Sequence, residues 1–187
     1  MMAVGFAMCG SFCTYSQVFP VMKKLAESYD IIPIFSDTAG TIDSRFGNTE
    51  DHIRKASEIT GHPPIMTIQA AEPIGPKKLL DALIIAPCTG NTLAKLAHSI
   101  ADTPVTMAAK SHLRNGRPVI VAVSTNDGLA GAAENIGRLL ARKNYYFVPF
   151  GQDDPKNKST SLVADFERIP ETVELALRGV QIQPILI

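Results

Sequence analysis

The sequence predicts an α/β fold: a single Rossmann-like three-layer domain with a mostly parallel sheet and helices on both faces. Two observations support this fold class. Short apolar runs rich in valine and isoleucine alternate with segments of helical period along the chain. The runs are apolar at nearly every position, so strands formed by them must be covered on both faces. Because 187 residues suffice for one sizeable core, we expect a single domain over residues 1–187.

The strands are predicted from these apolar runs, taken in chain order. They lie at 3–7, 31–35, 65–68 (the weakest), 83–86, 119–123 and 146–150. The helices are predicted from apolar residues spaced three and four apart, as in the first one, which runs through Val18 and Leu25 to Tyr29. The other helices lie at 51–59, from about 92, and at 105–113, 129–141 and 169–177. The polar segment 151–161, which contains Gly and Pro, is predicted to be a mobile loop.

The composition excludes several classes of function. The 18 basic residues balance 18 acidic ones, so no overall field favours nucleic acid or an anionic membrane. No apolar run approaches the roughly 18 residues that span a bilayer. The three cysteines are odd in number and form no CxxC pair, which argues against a disulfide scaffold. We therefore expect a cytoplasmic protein that binds a small neutral or singly anionic ligand.

Small polar residues follow three of the predicted strands. The first strand leads into MCGSFCTYS, the second into FSDTAGT, and the strand at 83–86 into APCTGNT. In a doubly wound sheet the ligand binds beyond the carboxyl ends of the strands, here between the first strand and the strand at 83–86. None of these turns contains a basic residue, so a phosphate would be held by hydroxyls and helix-end amides alone. Each turn taken singly is also compatible with ordinary helix capping.

The common nucleotide fingerprints are absent. No GxGxxG follows the first strand, and the chain contains no GxxxxGK[ST]. A mononucleotide therefore fits the turns better than a tightly bound dinucleotide or a P-loop substrate.

The cysteines and histidines leave further interpretations open. Cys9, Cys13 and Cys88 lie at the ends of strands expected to be neighbours, so three thiolates could bind zinc or take part in redox exchange. Burial as ordinary apolar residues is the alternative. The histidines at 52, 62 and 112 are expected at the surface, and His98 follows a helix end. No histidine is assigned to catalysis, and no metal site is assigned.

Three segments resemble the flavoprotein family of homo-oligomeric flavin-containing cysteine decarboxylases. APCTGNTLAKLA resembles the Pro-Ala-Ser-Ala-Asn-Thr signature and the helix that follows it, CGSFCTYSQ is similar to the first loop of the family, and FSDTAGTI to the second. The resemblance covers about residues 3–150. It implies FMN as the cofactor, bound between the protomers of a homo-oligomer that is a trimer or a multiple of one.

The resemblance also implies roles for individual residues. The FMN phosphate would be held by Gly10, Ser11, Ser36 and Thr38. The isoalloxazine would lie along Cys88, Thr89, Gly90, Asn91 and Thr92. Asn126 occupies the position of the Asn in the substrate clamp of the decarboxylases, in an altered context. The catalytic histidine of the decarboxylases is missing from AAEPIGPKKLLDAL, so the catalytic residues are unassigned.

A narrower resemblance concerns PCTGNT, STNDGLAGAAENIGRLL and PFGQDDPKNKSTSLVADF. These segments are similar to members of the family that act as one component of a two-component sporulation oxidoreductase. The resemblance implies a partner that uses NADP and a small dicarboxylate substrate, which Lys156 or Lys158 could meet when the loop 151–161 closes. Two alternatives remain: an FMN-binding, decarboxylase-like enzyme for another small substrate, and a scaffold protein without a cofactor.

Overall fold

Seven strands and eight helices form the chain, and the computed structural model describes all residues 1–187. The strands are β1 (Ala3–Met8), β2 (Asp30–Phe35), β3 (Ala82–Cys88), β4 (Val119–Thr125), β5 (Tyr145–Phe147), β6 (Phe150–Gly151) and β7 (Leu162–Ala164). The helices are α1 (Tyr15–Ala26), α2 (Asp37–Thr41), α3 (Thr49–Thr60), α4 (Ile68–Ala71), α5 (Gly90–Ala97), α6 (Pro104–Leu113), α7 (Ala133–Leu140) and α8 (Ile169–Leu177). Short 3₁₀ turns occupy Phe12–Thr14, Glu72–Ile74 and Phe166–Arg168.

The strands form one mostly parallel sheet in the order β2-β1-β3-β4-β7-β6. β5 pairs with β4 in parallel over Val119–Val121, and β7 pairs antiparallel with both β4 and β6. β1 lies between β2 and β3, so the chain leaves β1 toward one side of the sheet and later returns on the other. This reversal opens a crevice beyond the carboxyl ends of β1 and β3. The predicted α/β class and the mostly parallel sheet are confirmed.

The central strands are buried on both faces, as their composition predicts. All seven residues of β3 are buried, and the core contains 49 buried residues in one cluster. α1 packs against α3 and α8, whereas α6 packs against α4 and α5. The apolar stripe of α1 faces this core through Val18, Met22 and Leu25. No helix is both long enough and apolar enough to cross a membrane.

Two predictions in the first half of the chain were wrong. The weak strand at 65–68 is absent: Ile65 makes a single parallel bridge with Ile34, and Ile68 already begins α4. The first helix ends at Ala26, so Tyr29 lies outside it. Thr67 accepts a hydrogen bond from Ala70 N and thereby caps α4, so capping chemistry decides the structure where the apolar run is too short.

The second half of the chain departs further from the prediction. The run at 146–150 forms two strands, β5 and β6, because Pro149 separates them and cannot donate to a ladder. β7 was missed, since three residues carry too little periodicity. The helix predicted at 129–141 begins only at Ala133, because the amides of Ala130 and Ala132 both donate to Asp127 O and form a turn.

The C-terminal residues extend the sheet beyond β6. Phe150 N donates to Ile185 O at 3.0 Å, and Ile187 N donates to Phe150 O at 3.2 Å. The tail therefore covers the edge strand that leads into the loop 151–161.

Candidate functional site

A cavity of about 890 Å³ opens beyond the carboxyl ends of β1, β3 and β4. We call it the strand-end cavity. It is bounded by the loop after β1, the loop between α2 and α3, the start of α5, the loop after β4 and the segment before β7. Its lining residues are 10–14, Gln17, 44–46, 89–91, 124–127, Asp153, Lys158, Ser161 and Val163.

The cavity brings together six of the ten residues that the sequence assigns to the cofactor. They are Gly10, Ser11, Thr89, Gly90, Asn91 and Asn126. These residues come from the ends of three different strands, as the doubly wound topology requires. The turns after β1, β3 and β4 thus share one hollow, whereas the turn after β2 contributes residues only from farther along the chain, at 44–46.

Ser36 and Thr38 stand behind the cavity lining. Ser36 is buried and accepts a hydrogen bond from Ala39 N at 3.2 Å, so its side chain caps α2. A Cβ added to Gly10 would lie 2.7 Å from Thr38 Cγ2, so Thr38 packs directly against the Gly10 backbone. The structure therefore gives both residues a supporting position, and their role as phosphate ligands stays a prediction.

Cys88 and Thr92 also point away from the cavity. Cys88 is fully buried, and the Thr92 hydroxyl donates to Cys9 Sγ at 3.3 Å while accepting from Thr89 Oγ1 at 3.1 Å. Burial raises the pKa of the Cys9 thiol to about 11 and that of Cys88 well above its usual value, so both stay protonated. They pack as apolar residues beneath the loop that begins α5.

The three cysteines do not form a metal site. Cys13 is exposed and lines the cavity, whereas Cys9 and Cys88 lie in the core. No group of three or more His, Cys, Asp or Glu side chains is placed to hold a metal ion. The zinc interpretation required all three thiolates at one point, so the structure contradicts it.

Two contacts define the shape of the cavity floor. Ser11 Oγ lies 2.7 Å from Ser124 Oγ, so a hydrogen bond joins the loop after β1 to the end of β4. A Cβ on Gly90 would lie 2.7 Å from Thr125 Oγ1 and 2.8 Å from Asp127 Oδ1. Glycine at this position therefore lets the first turn of α5 approach the loop after β4, with Thr89 capping the helix by accepting from Thr92 N.

The sequence analysis named Lys158 as a residue that could meet substrate, but it missed Arg45. Both side chains line the cavity, so the expectation of a site without cations was wrong. Lys158 donates to Asp153 Oδ2 at 2.9 Å, and hydrogen bonds from Ser161 and Lys158 hold the pKa of the Asp153 carboxyl below its usual value. Arg45 makes no ion pair and lies 4.8 Å from the centre of the Phe46 ring. Arg45 lies well beyond the turn that directly follows β2, so turn motifs alone could not reveal it.

An aromatic cluster with a buried histidine supports one wall of the cavity. The His52 ring lies 6.3 Å from the ring of Phe12 and 4.8 Å from that of Tyr15, and the side chain is buried rather than exposed as predicted. Its Nδ1 has no partner, and burial lowers the pKa of His52. A Cβ on Gly47 would lie 2.7 Å from His52 Nε2, so the ring packs against the loop that carries Arg45.

Comparison with known proteins identifies the family. A model of the Flavoprotein family matches residues 2–155, which include every strand end of the cavity. The chain belongs to the flavoprotein family. The B subunit of dipicolinate synthase from Bacillus subtilis is 44% identical over 185 residues, which cover 98% of this chain and 92% of that protein. The similarity to this relative therefore extends past residue 155.

Solved structures agree with this assignment. The crystal structure of the dipicolinate synthase B subunit from Bacillus halodurans superimposes with a TM-score of 0.91 at 49% identity, covering 100% of this chain and 96% of that chain. SpaF, an FMN-dependent cysteine decarboxylase, matches with a TM-score of 0.68 at 22% identity, covering 94% of this chain and 97% of that chain. At that identity the second likeness shows a shared flavoprotein fold.

Proposed function

We propose that the chain is the B subunit of a dipicolinate synthase. In this proposal it forms dipicolinic acid during sporulation by oxidising a dihydrodipicolinate-type precursor together with a nicotinamide-dependent A subunit that uses NADP. The supporting observation is the 44% identity over 98% of the chain to a protein of that name, combined with a strand-end cavity of ligand size. The small dicarboxylate substrate and a homo-oligomeric state, a trimer or a multiple of one, belong to the same proposal.

The cavity residues fit a flavin mononucleotide. The volume of about 890 Å³ lies within the range of about 300–1,000 Å³ typical of cofactor sites. Gly10 and Gly90 line the cavity, and Thr89 and Asn91 offer polar groups beside them. Arg45 supplies the cation that the turns lack, so a phosphate need not be held by neutral donors alone.

Each wall of the cavity has its own role in this proposal. The Gly10 backbone amide and the Ser11 hydroxyl, with the Arg45 guanidinium, would hold the phosphate. The segment 89–91 would lie along the pyrimidine edge of the ring, with Cys88 and Thr92 holding that segment in place. FMN, when bound, supplies an acceptor for a hydride, while the protein gives orientation and excludes water.

The loop 151–161 is proposed to close over the substrate. Gln152 Nε2 donates to Ser159 O at 2.8 Å, and Asn157 N donates to Asp154 Oδ1 at 3.1 Å, so the loop is held by its own contacts. The C-terminal end of the loop is held at Asn126, because Thr160 Oγ1 donates to Asn126 O at 2.7 Å. Lys158 lines the cavity and Lys156 does not, so Lys158 is the residue proposed to meet a substrate carboxylate.

The test combines the purified chain with its A subunit and NADP. Dipicolinate formation is followed with and without added FMN, and flavin binding to this chain alone is measured by fluorescence quenching. The proposal predicts turnover only with both subunits, stimulated by FMN. Turnover that is complete without any flavin would instead support the cofactor-free scaffold. A flavin-dependent release of carbon dioxide from another small acid, without dipicolinate, would support the decarboxylase-like alternative.

The loop is tested separately. Deleting 153–159 removes the Lys158–Asp153 pair but leaves Thr160 and its contact with Asn126. We expect turnover by the two-subunit complex to fall while FMN binding persists, because the loop contacts substrate in the proposal. Unchanged turnover would exclude a lid function for this segment.

A further inference from the structure

A loop that lines the strand-end cavity carries Arg45, and we call residues 43–48 the arginine loop. Its tip is a tight hairpin, since Ser44 N donates to Gly47 O at 3.0 Å and Gly47 N donates to Ser44 O at 3.1 Å. Arg45 lies in the turn between them, is exposed and lines the cavity. These bonds fix the shape of the hairpin but not its position, because both partners belong to the loop itself.

Two contacts outside the hairpin connect the arginine loop to α3. At the base of the loop, Asp43 Oδ1 accepts a hydrogen bond from Thr49 N at 2.8 Å. At the tip, a Cβ added to Gly47 would lie 2.7 Å from His52 Nε2, 3.2 Å from Cε1 and 3.6 Å from Cδ2 of the same ring. The backbone at Gly47 therefore packs directly against the imidazole. A larger side chain at this position would displace the ring or the loop.

The His52 ring is held in place by other aromatic rings. It stacks on Phe12 with an angle of 18° between the ring planes, and it meets the Tyr15 ring edge-on at 4.8 Å. The centre of the Phe19 ring lies 6.0 Å away. Tyr15 and Phe19 belong to α1 and are buried in the core. The arginine loop, which packs against this ring, therefore takes its position from the core.

Packing alone does not account for a histidine at this position. His52 is only 7% exposed and its Nδ1 has no hydrogen-bond partner, which costs free energy among aromatic rings. An apolar side chain would avoid that cost. Burial lowers the pKa of His52, and the Phe46 backbone opposes this shift, so polar atoms of the arginine loop face the ring. The polar edge of the imidazole is therefore directed at the loop.

We propose that His52 is a positioning residue for the phosphate of FMN. Through its contact with Gly47 it holds the arginine loop so that Arg45 faces the phosphate, an inference that rests on the flavin site proposed above. A charge-assisted hydrogen bond requires its donor within a narrow range of distance and direction, so a loop that moves weakens the bond. His52 does not line the cavity, so it acts only through the arginine loop.

The experiment compares FMN with riboflavin, which lacks the phosphate, by fluorescence quenching on the full-length chain. His52→Leu should weaken FMN binding about fivefold and leave riboflavin binding unchanged, because part of the Arg45 contact with the phosphate is lost. In an Arg45→Ala background the same substitution should have no further effect on FMN, since it acts through that arginine. Phe19→Leu is the matched control, because it removes another ring of the cluster and lies outside the cavity lining.

The position of the loop is also measured without any flavin. Trypsin should cleave after Arg45 faster in His52→Leu than in the native protein, because a loop that is less firmly held opens more often. In Phe19→Leu the cleavage rate at Arg45 should stay at the native value.

A second variant approaches the same contact from the loop. Thermal melting shows whether His52→Leu folds, and Gly47→Ala perturbs the contact without changing a core side chain. It should also weaken FMN and not riboflavin. Its control is Gly61→Ala at the other end of α3. Both glycines have positive φ, +133° and +73°, but no heavy atom lies within 4 Å of a Cβ added at Gly61. The control therefore shares the backbone strain and lacks the contact.

The outcomes separate this inference from the proposed function. Equal binding of FMN and riboflavin to the native protein would exclude the phosphate site, and the inference would fail with it. If the native protein prefers FMN and both His52→Leu and Gly47→Ala keep that preference in full, only the inference is overturned. It is also overturned by an unchanged trypsin rate at Arg45, by an equal loss in Phe19→Leu, or by an effect that adds to that of Arg45→Ala.

Discussion

The two cavities lie at opposite ends of the same sheet and differ in how their polar groups are supplied. The strand-end cavity is built from turns that directly follow β1, β3 and β4, and its lysine is paired with Asp153. The second cavity, of about 550 Å³, lies where β4 and β5 begin and collects residues from 96–101, 106–114 and 142–145, with cations and no acids. The residues around a cavity at the carboxyl end of a parallel sheet can therefore be predicted from local sequence motifs. A cavity at the amino end arises only from tertiary packing.

One buried histidine lies near each end of the sheet, and the surroundings of the two rings differ. His52 lies among aromatic rings behind the strand-end cavity. His112 lies in the last turn of α6, fully buried, with Nε2 3.1 Å from Pro118 O and Nδ1 without a partner. Both were expected at the surface. Since neither ring has a carboxylate partner, protonation of either one is expected to destabilise the fold.

The largest predicted effect concerns His112. Burial lowers its pKa to about 4 in the folded protein, while the unfolded chain has an ordinary histidine pKa near 6.5. The unfolded state thus binds the proton first, so the stabilisation is fully present above about pH 6.5 and is lost as the pH falls toward 4. The loss amounts to about 3 kcal/mol in the free energy of unfolding. Urea titrations from pH 7 to pH 4 measure it.

The matched variant is His112→Gln, whose amide can still donate to Pro118 O but does not titrate. The difference in free energy of unfolding between native protein and variant should change by about 3 kcal/mol across this range. His52 contributes equally to both proteins and cancels. Parallel pH curves would show that His112 titrates normally and that its burial has no electrostatic consequence.

A smaller effect is predicted for Arg45 at the strand-end cavity. Arg45→Ala should weaken FMN binding about tenfold, because one charge-assisted contact to the phosphate is lost. Riboflavin has no phosphate, so its affinity should stay the same. Fluorescence quenching measures both ligands. Arg54→Ala removes an exposed arginine of α3 outside the cavity and serves as the control. An equal loss for riboflavin would mean that Arg45 supports the fold or the ring instead.

The fold was predictable where long apolar runs, which must be buried, alternate with segments of helical period. β1, β2, β3 and β4 are apolar runs covered on both faces, and their alternation with helices predicts the parallel sheet. The region after residue 145 was not predictable in detail. There, Pro149 splits one run into two strands, and β7 is only three residues long. Strands this short form because they pair with neighbouring strands, and the hydrophobic period of the sequence does not reveal that pairing.

The candidate site was predictable only where a turn that directly follows a strand selects the residue type. Gly10, Thr89 and Gly90 stand in turns whose backbone requirements select them, so their position could be inferred. Arg45 reaches the cavity from a loop of no regular structure, and no local rule places it; Lys158 was named from its polar loop, but the sequence could not choose it over Lys156. Ser124, near the end of β4, was overlooked because a single serine in an apolar strand carries no motif.

The smallest predicted effect tests the bond that joins two of these turns. Ser11→Ala and Ser124→Ala should each lower the free energy of unfolding by about 1 kcal/mol, since each removes the Ser11–Ser124 hydrogen bond. The double variant should cost about as much as either single one, because both changes break the same bond. Ser16→Ala, at an exposed position of α1, should add independently to Ser124→Ala. Additive costs for Ser11 and Ser124 would show that the two hydroxyls do not interact in solution, and the floor of the strand-end cavity would then lack the tie between β1 and β4.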